Sequence, residues 1–136
     1  DRYPELLKKR KSYIEKYDAA FKPLGVKVLP HFTEDYSSSG HLYITRVFKR
    51  DGEPISDEQR REIIRKMAER GVATNVHYKP LPMHTAYKDL GFKMEDYPNA
   101  FDMYKNEITL PLHTLLTDED IEYVVESLRD ILNETR

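Results

Sequence analysis

An α+β fold, with a small, mostly antiparallel sheet covered by helices, is what this sequence predicts. Three observations lead to it. Apolar residues recur at helical spacing at both ends of the chain, in 3–22 and 121–132. Short runs rich in β-branched and aromatic residues lie between them, each bounded by Gly, Pro or Ser. The order of these segments is helix, strand, strand, helix, strand, helix, strand, helix, which suits helices laid on one face of a sheet.

The elements follow in order. Tyr3, Leu6, Leu7, Tyr13, Ile14, Tyr17 and Phe21 recur at spacings near 3.6, and Pro4 suits a first helical turn. Pro23 and Gly25 stop that helix. Residues 26–30 alternate as a short strand, and 33–40 are a polar loop. His41 to Phe48 carries apolar residues on both faces, which predicts a central strand. A turn around Asp51-Gly52 leads to a helix opened by Ser56, with Gln59 completing a capping box. Ile63, Ile64, Met67 and Ala68 make its apolar stripe, and Gly71 ends it. Residues after Gly71 run into a short strand. A weaker helix spans Pro98 to Lys105, and Glu107-Ile108-Thr109-Leu110 is a strand stopped by Pro111. Thr117 caps the last helix, whose buried face is Ile121, Val124, Val125, Leu128, Ile131 and Leu132.

Composition narrows the function classes. The chain has 136 residues, 39% hydrophobic and 34% charged, which is the composition of one soluble globular domain. A net charge of −2 argues against nucleic-acid binding. No stretch approaches the roughly 20 apolar residues of a membrane span, and no signal peptide is visible. There is no cysteine, so disulfides, thiolate metal sites and a Cys nucleophile are excluded. None of the five histidines has the helical pair spacing of a zinc hydrolase, so no metal is expected. There is no Gly-x-Ser-x-Gly elbow and no Gly-rich phosphate loop. Asp118-Glu119-Asp120 open a helix, where their charge favours the dipole. Arg46, inside an apolar strand, either pairs with an acid or binds an anion, and the first is the commoner case. The chain opens on Asp1-Arg2-Tyr3-Pro4 with no initiator Met, which reads as a piece of a longer protein.

The densest chemistry lies in 75–87. His77, Tyr78, Lys79 and His84 share this segment with Pro80 and Pro82, which cannot sit in a helix interior or a central strand. A stiff loop loaded with donors and acceptors is a plausible binding edge. His77 and Tyr78 either end a strand with their polar atoms bonded to backbone, or face a ligand. Lys79 and His84 have the plainer explanation of ordinary surface residues.

The string Gly71-Val72-Ala73-Thr74-Asn75-Val76-His77-Tyr78-Lys79-Pro80-Leu81 resembles a hallmark of the DegT/DnrJ/EryC1/StrS family. So do Asn106 to His113, the following Leu116 to Asp120, and the strand His41 to Val47. The features occur in the family's order and cover nearly the whole chain. The resemblance implies the aspartate-aminotransferase type of fold (fold type I) and a pyridoxal-phosphate-dependent sugar aminotransferase. Such an enzyme would be a cytoplasmic homodimer acting on nucleotide-linked keto-sugars with glutamate as amino donor. Relatives include dehydratases on the same scaffold.

On this resemblance residues 1–136 are the C-terminal small domain, with 1–24 as a leading helix and 26–136 as the α+β core. The large domain with the Schiff-base Lys and the acid at the pyridine nitrogen would lie upstream. No catalytic or cofactor-binding residue is then expected in this chain. The implied substrate-binding residues are His77 and Tyr78, with Lys79 and His84 secondary. Many members have a His directly after the Pro-Leu pair, where this sequence has Pro82-Met83 before His84. The chain alone is expected to be inactive, and to expose apolar surface along 3–22. The alternative is a free-standing module that binds a protein or glycan through the His77–His84 loop. The gene sequence upstream of Asp1 separates the two.

Overall fold

The computed structural model describes residues 2–135. Helix α1 spans Tyr3–Phe21 and buries Tyr13, Ile14, Tyr17 and Phe21, one side of the expected periodicity. A single 3-10 turn, Lys22–Leu24, and Gly25 at φ 66° turn the chain toward strand β1, Lys27–Val28. Strand β2 is Tyr43–Arg46 and β3 is Glu107–Leu110. The sheet order is β1-β2-β3 and both pairings are antiparallel, so β2 is central as its two-sided apolar pattern predicts.

Helix α2, Asp57–Glu69, starts where the sequence says it should. Ser56 Oγ accepts from the Gln59 N–H at 3.1 Å, and Gln59 Oε1 accepts from the Ser56 N–H at 3.0 Å. This reciprocal pair satisfies two donors that a helix start leaves orphaned. Gly71 takes φ 74° just past the helix end. The buried line along α2 is Arg60, Ile63 and Met67, while Ala68 is exposed. The last helix, α5 (Asp118–Thr135), buries all six residues expected of it. Thr117 and Asp120 cap it reciprocally, at 2.8 and 3.2 Å.

Strands β1 and β2 are shorter than the 26–30 and 41–48 expected, and two further segments differ from expectation. The strand expected after Gly71 reduces to one bridge, Asn75 with Thr109. Pairing cannot run further because Pro80 and Pro82 lie close ahead, and the next N–H groups find other partners. Segment 81–89 holds a 3-10 turn, Leu81–Met83, and the short helix α3, Thr85–Asp89, neither of which periodicity suggests in so few residues. Helix α4, Pro98–Lys105, matches expectation.

α1, α2 and α5 pack with the sheet in a single core that includes Tyr17, Tyr43, Ile63, Ile108, Leu128 and Ile131. The rings of Tyr17 and Tyr43 lie 4.8 Å apart, fastening α1 to β2. Tyr43 donates to Asp18 Oδ1 at 2.7 Å and Tyr17 to the Pro111 carbonyl at 2.9 Å, so both buried hydroxyls are satisfied. Burial, with an acid nearby, pushes both phenols well above their ordinary range.

Exposed apolar side chains do not gather on α1, where Tyr3 is the one large example. They gather instead on 81–103, as Leu81, Leu90, Phe92, Tyr97, Phe101 and Met103. The aromatics of α1 beyond Tyr3 are consumed by the core. No helix among the described residues is long and apolar enough to cross a membrane.

Candidate functional site

The site is built on β3. Alternation along a strand sends Ile108 and Leu110 to one face and Glu107 and Thr109 to the other. The first pair enters the core. The second pair is buried too, each only 5% exposed, beneath the segment that follows Asn75. Asn75 and Thr109 exchange backbone hydrogen bonds at 2.8 and 3.1 Å. Continuing that antiparallel register by two residues sets His77 against Glu107. There the ladder ends, and the His77 N–H donates to the Glu107 carboxylate, Oε2, at 2.9 Å.

Three side chains close a chain of hydrogen bonds. His77 Nδ1 lies 2.9 Å from Thr109 Oγ1, and the Thr109 hydroxyl donates to Glu107 Oε1 at 2.6 Å. One carboxylate thus holds both the backbone and, through a hydroxyl, the ring of His77. Burial pushes the Glu107 carboxyl above its ordinary value. The Thr109 hydroxyl, the His77 N–H and the charges of His77 and Arg60 pull against that rise. His77 is itself half-buried, and its Nε2 has no partner among the described residues.

Tyr78 follows across a cis peptide bond and is 74% exposed. Its ring stands edge-on to His77 with centroids 4.7 Å apart. Lys79 and His84 form a second, looser pair. Both are exposed, and they meet through a long 3.4 Å contact between His84 Nε2 and the Lys79 carbonyl. The structure therefore brings His77 to Tyr78 and Lys79 to His84, with no hydrogen bond or ring contact joining the pairs.

Beyond Lys79 the loop forms the rim of an open cleft of about 970 Å³. Pro82, Met83, Phe92, Met94, Pro98 and Phe101 give it an apolar lining, and Lys88, Lys93, Lys105, Glu95 and Asp102 add charges of both signs. Arg46 takes the pairing alternative. It donates to Asp102 Oδ2 at 3.1 Å and to Asn106 Oδ1 at 3.0 Å, tying β2 to α4.

Sequence reasoning passed over Glu107, Thr109 and Arg60. The signal for the first two was available: a Glu-x-Thr pair on one face of a strand with no exposed side leaves a buried carboxylate in need of donors. Arg60 sits on the buried line of α2 and donates to the Tyr104 carbonyl at 3.0 Å and to Asp57. It also lies 4.3 Å from the Tyr104 ring centroid. Nothing in its exposed-looking neighbourhood, Gln59-Arg60-Arg61, marks it as buried.

The model of the DegT/DnrJ/EryC1/StrS aminotransferase family matches residues 1–129, and the chain belongs to that family. A Streptococcus pneumoniae protein described as a sugar aminotransferase, solved in its pyridoxal phosphate form, superposes with a TM-score of 0.93 at 48% identity. That match covers 100% of this chain and 33% of the other. The spore coat polysaccharide biosynthesis protein SpsC of Bacillus subtilis is 32% identical over 96% of this chain and 33% of its own length. A Helicobacter pylori UDP-4-amino-4,6-dideoxy-N-acetyl-beta-L-altrosamine transaminase is 30% identical over 92% of this chain and 32% of its own. The chain spans about a third of the length of these relatives.

The residues present do not by themselves fit pyridoxal phosphate. That group needs a desolvated amine as anchor, an acid at the ring nitrogen and a cradle of donors for the phosphate. Among the described residues every lysine is exposed or half-exposed, and the two half-exposed ones, Lys66 and Lys105, are paired with Glu134 and Asp102. The one buried carboxylate by His77 is engaged on both oxygens, by Thr109 and a backbone N–H.

Proposed function

We propose that this chain is the C-terminal small domain of a pyridoxal-phosphate-dependent sugar aminotransferase, with residues 1–24 as its leading helix and 26–136 as its α+β core. It forms the substrate-facing edge of the active site. The cofactor and its lysine are held by parts of the enzyme outside this sequence. The substrate is a nucleotide-linked keto-sugar, the amino donor is glutamate, and the product serves surface-polysaccharide or amino-sugar synthesis. The enzyme is a cytoplasmic homodimer.

Family membership and the names of the relatives support the reaction class. The observation that carries the site is the anchored state of His77. Its backbone N–H and Nδ1 are held by Glu107 and Thr109, while Nε2 has no partner among the described residues and the Tyr78 ring, edge-on to His77, is 74% exposed. A side chain held on one side and unpartnered on the other is preorganised to orient a ligand. Lys79 and His84, exposed on the same loop, are the secondary contacts. The apolar side chains of 81–103 are the surface that meets the rest of the enzyme.

The test uses the intact polypeptide that carries this sequence. His77→Ala and Tyr78→Ala should each raise KM for the nucleotide-sugar about tenfold, the worth of one substrate hydrogen bond. Cofactor absorbance should be unchanged, because these groups position substrate rather than cofactor. Wild-type kinetics in both variants would remove the 77–78 edge from the site.

A further inference from the structure

We propose that Glu107, acting through the hydroxyl of Thr109, decides which nitrogen of His77 carries the proton, so that Nε2 meets the substrate as a hydrogen-bond acceptor. The inference rests on the reading of His77 as a substrate contact for its consequence, but not for its geometry.

The logic is a count of donors. Glu107 Oε2 accepts the His77 N–H, and Oε1 accepts from Thr109. At a pH where Glu107 is ionised its carboxylate has no proton to give, so the single Thr109 hydrogen is committed to Glu107. Thr109 Oγ1 then has only lone pairs left to offer His77, so Nδ1 must be the protonated nitrogen of the neutral ring. Nε2 is left bare. A bare nitrogen accepts from a sugar hydroxyl or an amine and has nothing to donate to a carbonyl or phosphate oxygen. The substrate group opposite His77 is therefore a hydrogen-bond donor, the chemistry of a hydroxyl on the sugar ring. Glu107 and Thr109 are positioning residues in this scheme, since both are buried and reach the substrate only through the imidazole.

Replacing the carboxylate by an amide inverts the chain. In Glu107→Gln the amide oxygen keeps the His77 N–H, and the amide N–H₂ turns to Thr109. The Thr109 hydrogen is then released to Nδ1, and the ring proton moves to Nε2. The side chain keeps its size and its backbone bond, so the fold is retained.

The experiment is selective ¹⁵N-histidine labelling of the intact polypeptide, with the ring nitrogens of His77 read by NMR at a pH where the ring is neutral and Glu107 is ionised. The wild type should show Nδ1–H with a bare Nε2, Glu107→Gln should show Nε2–H, and Thr109→Ser, which keeps the hydroxyl, should stay as wild type. Thr109→Val should lose the wild-type preference, which covers the case of an amide variant that fails to fold. An unchanged Nδ1–H form in Glu107→Gln or Thr109→Val overturns the proposal, as does Nε2–H in the wild type. In steady-state kinetics Glu107→Gln should raise KM for the sugar roughly tenfold with cofactor absorbance intact. A tautomer that switches without any change in KM supports the relay and overturns the reading of His77 as a substrate contact.

Discussion

Glu107 is the residue at which burial and function pull in opposite directions. Most buried carboxylates in a folded chain are held down by a cation, whereas here the two direct donors are neutral and desolvation wins. The sign of the consequence can be worked out. With the folded value raised above the ordinary 4.5, the folded chain holds the proton more tightly than the unfolded one. The contribution of this group to stability is therefore full below about 4.5 and is lost as pH rises through the folded value. Urea unfolding of wild type and Glu107→Gln across that range should show the wild type losing ground to the variant as pH rises. The opposite slope would mean that the hydrogen bonds from Thr109 and His77, rather than desolvation, govern the carboxylate.

Among the elements, α2 shows how much of a helix is written locally and where that ends. Its start follows from the Ser56–Gln59 box, whose two hydrogen bonds are solvent-exposed, so its effect should be close to that of a cap in isolation. Ser56→Ala should cost about 1 kcal/mol, measured as a lowered urea midpoint with unchanged slope. A loss below a few tenths would mean that packing of Ile63 and Met67 alone holds the helix start. The interior of α2 is less local. A helical stripe was expected to run through Ala68, but the helix presents Arg60 instead, because α4 and its carbonyl at Tyr104 lie on that side. The 77–84 loop is the complementary case. Its two prolines forbid a strand, which the sequence states plainly, but they do not say which backbone groups take over the lost pairing.

The whole chain divides into a closed side and an open one. α1, α2, α5 and the core face of the sheet bury most of their apolar residues within the chain, Tyr3 and Tyr123 excepted, while the 81–103 side leaves Leu81, Leu90, Phe92, Phe101 and Met103 exposed, Phe92 and Phe101 lining a cleft. The first side is self-sufficient; the second has the character of a surface that is covered in a larger assembly. The cofactor requirements point the same way, since no described lysine is desolvated and unpaired. The chain alone, mixed with pyridoxal phosphate, should therefore develop no stable visible band that resists dialysis, and should transfer no amino group. A retained band would place an amine anchor within these residues.

Helix periodicity, the Ser56–Gln59 capping box, the Thr117 cap, the central place of β2 and the family strings around His77 and Asn106 were all legible in the chain, because each depends on neighbours a few residues apart. The His77–Tyr78 pair was legible as chemistry on a stiff loop, with its role left between two readings. What only the tertiary structure decided is the set of contacts made across the sheet. Thr109 and Glu107 lie thirty and more residues from His77, and they reach it through an antiparallel register that no local pattern specifies. The same holds for Arg60, which is buried because a carbonyl 44 residues away meets it. A sequence announces which groups need partners. Which partner each one finds depends on the free energy of packing the whole core, a sum over contacts that no short stretch of residues contains.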